Sequence, residues 1–245
     1  MLVEATKSGS WNSLDLSGPL VSVITPVYNG ARTLKRSHDS LQCQAGRWQH
    51  IIVDDGSTDD TPDVIKDLSG DSRVISVRTE NRGISAAHNT GIEVAAGDFI
   101  AFLDADDEYL PDHIGAHVAA MSEHPMVDLF WGGLEVITNH PDDIMVPDIS
   151  LGFGFISIED CVAQGTLFVR RAVFEHFRFN EDRAIWWQDL DFVTRAKSRF
   201  VERQFHQRTY RYYRNSGSSA VDKLKGNWPA CAQSVEAMRS ISGQY

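Results

Sequence analysis

The chain has 245 residues, of which 42% are hydrophobic and 23% are charged, the ordinary balance of a folded protein with a sizeable core. Its 23 lysines and arginines against 34 aspartates and glutamates give a net charge of −11, which argues against nucleic acid as a partner. The chain has no apolar run of transmembrane length, no apolar secretory segment at its N-terminus and no C-x-x-C pair among its three cysteines. We therefore expect a cytoplasmic protein, either free or peripheral to the inner face of the membrane.

Short apolar runs and amphipathic helical patterns alternate through the first half of the chain. Strands are predicted at Val21–Ile24, Ile51–Val53, Val74–Val77 and Phe99–Leu103, with Thr25–Gly30 as the turn after the first strand. Helices are predicted at Leu34–Leu41, Thr61–Leu68 and Ile84–Ala95. Repeated strand–helix alternation is typical of a parallel, doubly wound α/β sheet with right-handed crossovers.

The pattern becomes less regular after Pro111. The predicted elements are a helix at 112–122, a pair of strands at 127–131 and 134–137, a long loop at 138–155, a strand at 165–170, a short helix at 172–176 and a helix from 185 to about 198. Apolar residues at helical spacing from Trp228 to Ile241 predict a C-terminal helix that packs on the core or on a second copy in a homodimer. We divide the chain into an N-terminal arm (1–19), two halves (20–110 and 111–215) and a C-terminal tail with its helix (216–245).

Four carboxylates in five residues follow the last of the early strands: Asp104, Asp106, Asp107 and Glu108. Burying such a group unpaired would be very costly, because the charges repel one another and lose their hydration. Open α/β sheets bind their ligands at the carboxyl ends of the strands, where this cluster lies. We therefore expect the cluster to collect a divalent cation that bridges to a second, anionic ligand. The alternative is a solvated acidic turn.

Four motifs, taken in chain order, resemble those of the family 2 glycosyltransferases. They are VSVITPVYNG from Val21, IIVDDGSTDDT from Ile51, NRGISAAHNTGI from Asn81 and FIAFLDADDEYLP from Phe99. The resemblance is dense over 21–111 and loose over 161–215. It implies a GT-A fold, a mostly parallel Rossmann-like sheet flanked by helices with a smaller acceptor-side subregion. Residues 20–110 would form the nucleotide-sugar-binding half and 111–215 the acceptor-binding and catalytic half.

The resemblance implies a set of residues that contact the nucleotide-sugar donor: Pro26, Tyr28, Asn29, Asp55, Gly83, Asn89, Asp104 and Arg214. In this reading the first loop, with Pro26 and Tyr28, cradles the base. Asp55 would accept the imide N–H of the base, which selects uracil or thymine over cytosine. The expected donor is therefore a UDP-sugar, with a dTDP-sugar as the second choice, and Arg214 would meet its diphosphate.

The Asp104-Ala105-Asp106 segment matches the D-x-D motif of the same family. The match implies that Asp106 ligates a metal directly and that Asp104 faces the ribose or the metal's water shell. Hard cations such as Mg²⁺ or Mn²⁺ prefer oxygen ligands and keep several waters, so few protein ligands are required. The metal would neutralise the diphosphate leaving group.

Gln188-Asp189-Leu190-Asp191 stands where the family has a Glu-Asp pair before a helix. By this match Asp189 is the general base of an inverting transfer to an acceptor hydroxyl, with Asp191 as the rival. The predicted acceptor or sugar pocket consists of Trp186, Trp187, Gln188 and Asp191. The two tryptophans would wall the pocket and desolvate Asp189, which would raise its pKa.

Three positions depart from the family pattern. Gln188 replaces the usual Glu, His88 stands where Arg is common, and no His occurs near Asn215, which would leave Asn215 or water to complete the metal site. These departures keep open a non-catalytic protein that binds nucleotide sugars or carbohydrates. A sugar nucleotidyltransferase would need a Gly-rich basic phosphate loop, which TPVYNG does not supply. The acceptor stays open among a saccharide, a lipid-linked glycan, a peptide and a small molecule.

Overall fold

The computed structural model describes residues 18–139, 144–147, 155–185 and 187–214. The strands are β1 (Leu20–Val27), β2 (Arg47–Asp54), β3 (Val74–Arg78), β4 (Phe99–Phe102), β5 (Glu108–Tyr109), β6 (Leu129–Trp131), β7 (Leu134–Ile137), β8 (Met145–Pro147), β9 (Phe155–Ser157), β10 (Phe168–Arg170), β11 (Glu202–Gln204) and β12 (Tyr210–Tyr213). The α-helices are α1 (Leu34–Leu41), α2 (Thr61–Leu68), α3 (Ile84–Val94), α4 (His113–Glu123) and α5 (Gln188–Ala196). The N-terminal arm up to residue 17, Trp186, Asn215 and the predicted C-terminal helix lie outside the described residues.

A seven-stranded sheet in the order β11-β6-β10-β4-β1-β2-β3 forms the centre of the fold. Strands β1 to β4 are parallel, and within this sheet only β10 runs antiparallel to both of its neighbours. The predicted mostly parallel α/β sheet is thus confirmed. Strands from both sides of residue 110 belong to this one sheet, so the carboxyl ends of β1, β2 and β4 share an edge with residues of the second half.

The central strands are apolar on both faces, as expected of a sheet covered on each side. On β4, Phe99 and Ala101 pack into one hydrophobic cluster, whereas Ile100 and Phe102 pack into the opposite one. Helix α1 buries the predicted face of Leu34, Ser37, His38 and Leu41. No helix within the described ranges is both long and apolar enough to cross a membrane.

A second sheet, β5-β12-β7, flanks the first. The predicted strand pair at 127–131 and 134–137 exists as β6 and β7, but the two strands belong to different sheets and do not pair. Gly132 and Gly133, with φ of +99° and +75°, turn the chain from one sheet to the other. The predicted loop at 138–155 is also wrong in part, because β8 pairs with β9 in a small antiparallel ladder.

Two element boundaries change the placement of predicted site residues. Pro26 lies within β1, aligned with Val53 of β2, and not in the first loop. The strand tolerates it because β4 pairs with β1 only as far as Ile24, so the missing N–H costs no ladder hydrogen bond. Helix α5 begins at Gln188 instead of Ile185, which places Asp189 in its first turn.

Within the part of the chain that the structure describes, five buried histidines make the fold sensitive to acid: His38, His50, His88, His113 and His117. His117 packs against Phe168 and Phe205, with ring centres 4.9 and 4.0 Å away. Burial lowers its pKa from 6.5 to about 4. Below pH 6.5 this histidine is protonated in the unfolded chain, whereas in the folded chain it stays neutral down to about pH 4. The free energy of unfolding therefore decreases as the pH falls from 6.5 to about 4.

We expect His117→Phe to change the pH dependence of stability. Relative to wild type, the variant should gain about 2 kcal/mol of unfolding free energy between neutral pH and about pH 5, because it has no imidazole to protonate on unfolding. Comparing the two proteins cancels the contributions of the other titrating groups, apart from His113, whose pKa depends in part on the charge of His117. Urea unfolding at a series of pH values measures the difference, with His206→Phe, at an exposed position, as the control. A difference that does not change with pH would contradict the assignment.

Candidate active site

The acidic loop after β4 is held by one of its own carboxylates. Asp107 is buried and accepts hydrogen bonds from the Tyr210 hydroxyl (2.7 Å) and the Tyr213 backbone N–H (2.9 Å), both on β12. The Tyr210 hydroxyl also accepts the Asp104 backbone N–H at 3.3 Å. Asp107 therefore anchors the loop to the second sheet, while Asp104 and Asp106 are left half-buried at the sheet edge.

The outer side of the same loop is held by Arg36 of α1. Its guanidinium donates to the Asp106 backbone carbonyl, pairs with Glu108 at 3.3 Å and lies 4.1 Å from the centre of the Tyr213 ring. Glu108 in turn accepts from the Tyr213 hydroxyl at 2.9 Å. The contacts of Glu108 therefore stabilise the loop, and the Asp104-Ala105-Asp106 segment is the part of the loop that can bind a ligand.

The charge of Asp104 is disfavoured in this segment. Burial, together with the charges of Asp106 and Asp189, raises the pKa of Asp104 to about 7. No group of three or more His, Cys, Asp or Glu side chains suited to a metal converges within the described residues. Two carboxylates two positions apart fit a Mg²⁺-like ion, which takes one or two carboxylates and completes its shell with water and substrate phosphates. Such an ion would also relieve the repulsion that raises the pKa of Asp104.

Asp189 faces this segment from the first turn of α5. Asp189 lies near enough to Asp104 for its negative charge to raise the pKa of Asp104. Burial raises the pKa of Asp189 to about 6, opposed by backbone N–H groups of Leu190, Asp189 itself and Gln164. Leu190 donates to its Oδ1 at 2.8 Å. Desolvation therefore raises the pKa of Asp189, and the predicted part of Trp186 and Trp187 in that desolvation stays a prediction.

The neighbours of Asp189 differ in what they can do. Asp191 is buried and accepts two hydrogen bonds from Arg195, at 2.6 and 3.0 Å, one turn along the helix. Gln188 donates to the side-chain oxygen of Gln164 at 3.1 Å. Trp187, just before the helix, has a buried indole N–H with no hydrogen-bond partner. Asp191 thus has a structural partner, whereas the Trp187 N–H is available to a ligand.

The predicted base-binding loops meet at the ends of β1 and β2. Asp54 accepts the Ser57 backbone N–H at 2.8 Å and pairs with Arg78, so it orders its own loop. Asp55 accepts the backbone N–H groups of Arg82 (2.9 Å) and Gly83 (2.8 Å), which ties the second motif to the third. The structure therefore brings Asp55 and Gly83 together.

Asn29 and Tyr28 lie beside these loops with different surroundings. The Asn29 side-chain oxygen accepts the Thr58 backbone N–H at 2.8 Å, and its backbone N–H donates to the Ser57 hydroxyl at 2.9 Å. Asn29 therefore joins the first loop to the second. Tyr28 is 53% exposed, so its ring is free to cover a planar ligand.

Two residues predicted to contact the donor, Asn89 and Arg214, take part in the packing of the fold, and their contacts to a donor stay predictions. The Asn89 amide donates to the Phe179 carbonyl and to Glu181, both at 2.9 Å, and accepts the Phe179 N–H at 3.0 Å. Because both ends of this amide are engaged, Asn89 fastens α3 to the segment at 179–181. Arg214 is buried directly after β12, and its backbone N–H donates to the Ile137 carbonyl at 3.0 Å.

Sequence reasoning missed Tyr210, Arg36 and Gln164. Tyr210 lies in a segment rich in tyrosine and arginine, to which no role was assigned. No sequence motif includes Arg36 or Gln164. All three act through contacts with residues more than twenty positions away in the chain, which motif spacing cannot reveal.

Comparison with known proteins gives one family and one fold. The model of the family "Glycosyl transferase family 2" matches residues 22–221. The Escherichia coli UDP-Glc:alpha-D-GlcNAc-diphosphoundecaprenol beta-1,3-glucosyltransferase WfgD is 33% identical over 123 residues, 49% of this chain and 48% of that protein. TuaG of Bacillus subtilis (strain 168) is 38% identical over 117 residues, 46% of each chain. The chain spans about half the length of these curated relatives.

Two solved structures share the fold. TarS 1-349 of S. aureus in complex with UDP superposes with a TM-score of 0.65 at 20% identity, covering 79% of this chain and 60% of that chain. The mannosyltransferase PcManGT of Pyrobaculum calidifontis, in complex with GDP-Man and Mn²⁺, gives a TM-score of 0.65 at 16% identity, covering 94% and 76%. At these identities the likeness establishes the fold, which is the predicted GT-A type.

Proposed function

Since the chain belongs to glycosyl transferase family 2, we propose that it is an inverting glycosyltransferase that moves a sugar from a UDP-sugar to an acceptor hydroxyl. The observation that carries this proposal is that Asp189 lies near enough to Asp104 for its charge to raise the pKa of Asp104. The Asp104–Asp106 segment suits a metal and a diphosphate, and α5 holds a carboxylate whose pKa is raised to about 6. A sugar bound between them would have a leaving group on one face and a base on the other.

Asp189 is the proposed general base. At neutral pH its carboxylate is ionised, and it accepts the proton of the acceptor hydroxyl as that oxygen forms the bond to the anomeric carbon. The bond from that carbon to the diphosphate oxygen breaks on the opposite side, and UDP leaves. We prefer Asp189 to Asp191, because the carboxylate of Asp191 already forms an ion pair with Arg195.

Asp106 and Asp104 would hold Mn²⁺ or Mg²⁺, which when bound supplies the positive charge that neutralises the diphosphate leaving group. The excess negative charge at Asp104 supports this assignment. The Mn²⁺ of the PcManGT complex supports a divalent ion in a relative of the same fold, and does not distinguish Mn²⁺ from Mg²⁺ here.

Asp55 is the proposed contact to the base. It already accepts two backbone N–H groups, yet an ionised carboxylate has about four lone-pair sites and can accept the imide N–H of uracil as well. The exposed Tyr28 would cover the base. The UDP complex of TarS supports uridine as the nucleoside, and the contact from Asp55 selects against cytosine.

The first test is the wild-type protein with UDP and nucleotide sugars. We expect UDP with Mn²⁺ to raise the thermal unfolding midpoint more than CDP does, because only uracil offers the imide N–H to Asp55. UDP-glucose, UDP-galactose or an N-acetylated analogue with Mn²⁺ should release UDP slowly by hydrolysis. Binding without release from any sugar would favour a non-catalytic binding protein, and the absence of both would reject the proposal.

A further inference from the structure

A short turn at Gln164–Thr166, directly before β10, contacts both sides of the proposed active site. Gln164 is buried, and its backbone N–H opposes the rise that burial causes in the pKa of Asp189. The next residue, Gly165, packs so closely on Tyr210 that an added Cβ would lie 2.1 Å from the hydroxyl oxygen. Tyr210 in turn binds Asp107 and the Asp104 N–H. One turn therefore lies between the acidic loop and the candidate base.

The Gln164 side chain joins two further elements at this point. Its Nε2 lies 2.8 Å from Nδ1 of His88 on α3, and its Oε1 accepts the Gln188 amide at 3.1 Å. Gln188 directly precedes Asp189. Gln164 thus holds Gln188 through its side chain, which fixes the first residue of α5 directly before Asp189.

His88 is the first member of the hydrogen-bonded series His88–Gln164–Gln188, and it is held rigidly and without charge. It is fully buried between the rings of Phe102 and Phe179, with centroids 5.2 and 5.3 Å away. Burial lowers its pKa to about 3, so it stays neutral at working pH. A neutral imidazole and two amides make a connection from α3 to α5 that adds no charge beside Asp189.

The turn itself is well anchored. The Thr166 hydroxyl donates to the Ala163 carbonyl at 2.6 Å and accepts the Gly132 N–H at 2.9 Å. Movement of the turn would therefore disturb the second sheet as well as α5. This leaves the Gln164 side chain as the adjustable link, whose length and hydrogen bonds determine where α5 begins relative to the acidic loop.

We propose that Gln164 is a positioning residue that aims Asp189 at the acceptor hydroxyl by fixing its distance from the Asp104–Asp106 segment. The inference rests on the proposed function, because it concerns the alignment of the same base. Gln164 does not touch the reacting atoms; it acts through Asp189 and Gln188. Positional errors of about 1 Å in such an arrangement can cost about 100-fold in rate.

The test compares two substitutions that differ in hydrogen bonding. Gln164→Leu keeps the approximate size but removes both side-chain bonds, and we expect kcat to fall about 10- to 100-fold with the KM for the UDP-sugar little changed. Gln164→Glu can still accept from Gln188 and from the Nδ1–H tautomer of His88. The Gln164→Glu variant should retain most of kcat at high pH. The added negative charge should raise the pKa of Asp189, so that the fall in rate at low pH begins at a higher pH than in wild type. Gln204→Leu, on the edge strand β11, is the control for loss of a glutamine.

A second measurement separates this inference from the proposed function. In ¹⁵N-labelled protein the Gln164 backbone amide should shift with pH as Asp189 titrates, with an inflection near pH 6, and Asp189→Asn should remove the inflection. If Gln164→Leu transfers sugar within about two-fold of wild type, the positioning role is wrong although the function stands. If the amide does not titrate with Asp189, the contact is absent and the inference falls. If the amide titrates but no sugar is transferred, the contact stands and the proposed function falls.

Discussion

Asp189→Asn is expected to lower the rate of sugar transfer by about 10³-fold while leaving the affinity for UDP and metal near that of wild type. The amide has nearly the shape of the carboxylate but cannot take the proton of the acceptor hydroxyl, and general-base catalysis contributes about 10² to 10⁴ in rate. Binding of UDP should survive because the proposed nucleotide contacts come from β1, β2 and the acidic loop, not from α5. Single-turnover transfer and UDP titration calorimetry measure the two effects separately.

The pH dependence of transfer supplies a further readout of the same substitution. Burial raises the pKa of Asp189 to about 6, so the wild-type rate should fall as the pH drops below that value and the base gains its proton. The residual activity of Asp189→Asn should not show this fall in rate at low pH. Asp191→Asn is the matched control on the same helix, and it should keep this fall in rate although it loses the pair with Arg195. If Asp191→Asn instead abolishes transfer and Asp189→Asn does not, the two roles are reversed.

The pattern of apolar residues predicted the longer elements. The buried face of α1 follows from residues at helical spacing, and β1 to β4 follow from short continuous apolar runs, because strands covered on both faces bury both sets of side chains. Two-residue and three-residue strands such as β5 and β11 leave no such pattern, since they contain too few residues for a period. The split of β6 and β7 between sheets depends on two left-handed glycines, which sequence alone presents as an ordinary tight turn.

The four acids after β4 show where motif reasoning stops. Their sequence predicts a charged ligand site but does not say which carboxylate turns inward. Tyr210 and Tyr213, about a hundred positions later, decide it by binding Asp107. The contact between Gln164 and Asp189 is equally long-range in origin, because it depends on where β10 joins the sheet. Residues that position the side chains of a site are thus harder to predict from sequence than residues that would contact the ligand.

Asp106→Ala is expected to abolish the stabilisation that Mn²⁺ and UDP give together, with transfer lost as a consequence. Asp106 is the proposed direct metal ligand, and the diphosphate binds through the metal. The same substitution removes one of the two charges that raise the pKa of Asp104, so the ligand-free protein should be as stable as wild type or slightly more stable. Opposite effects on the free and bound protein distinguish loss of a ligand from damage to the fold.

Differential scanning fluorimetry with and without Mn²⁺ and UDP measures both effects on one sample. Asp39→Ala removes an exposed carboxylate of α1 that pairs with Lys35, and it should leave the Mn²⁺–UDP shift intact. A full shift in Asp106→Ala would place the metal elsewhere and leave Asp104 as the candidate, to be tested in the same way. A variant that melts well below wild type without ligand would mean that Asp106 stabilises the loop, and the argument from repulsion at Asp104 would be wrong. The ligand-free melting temperature therefore tests the electrostatic argument independently of catalysis.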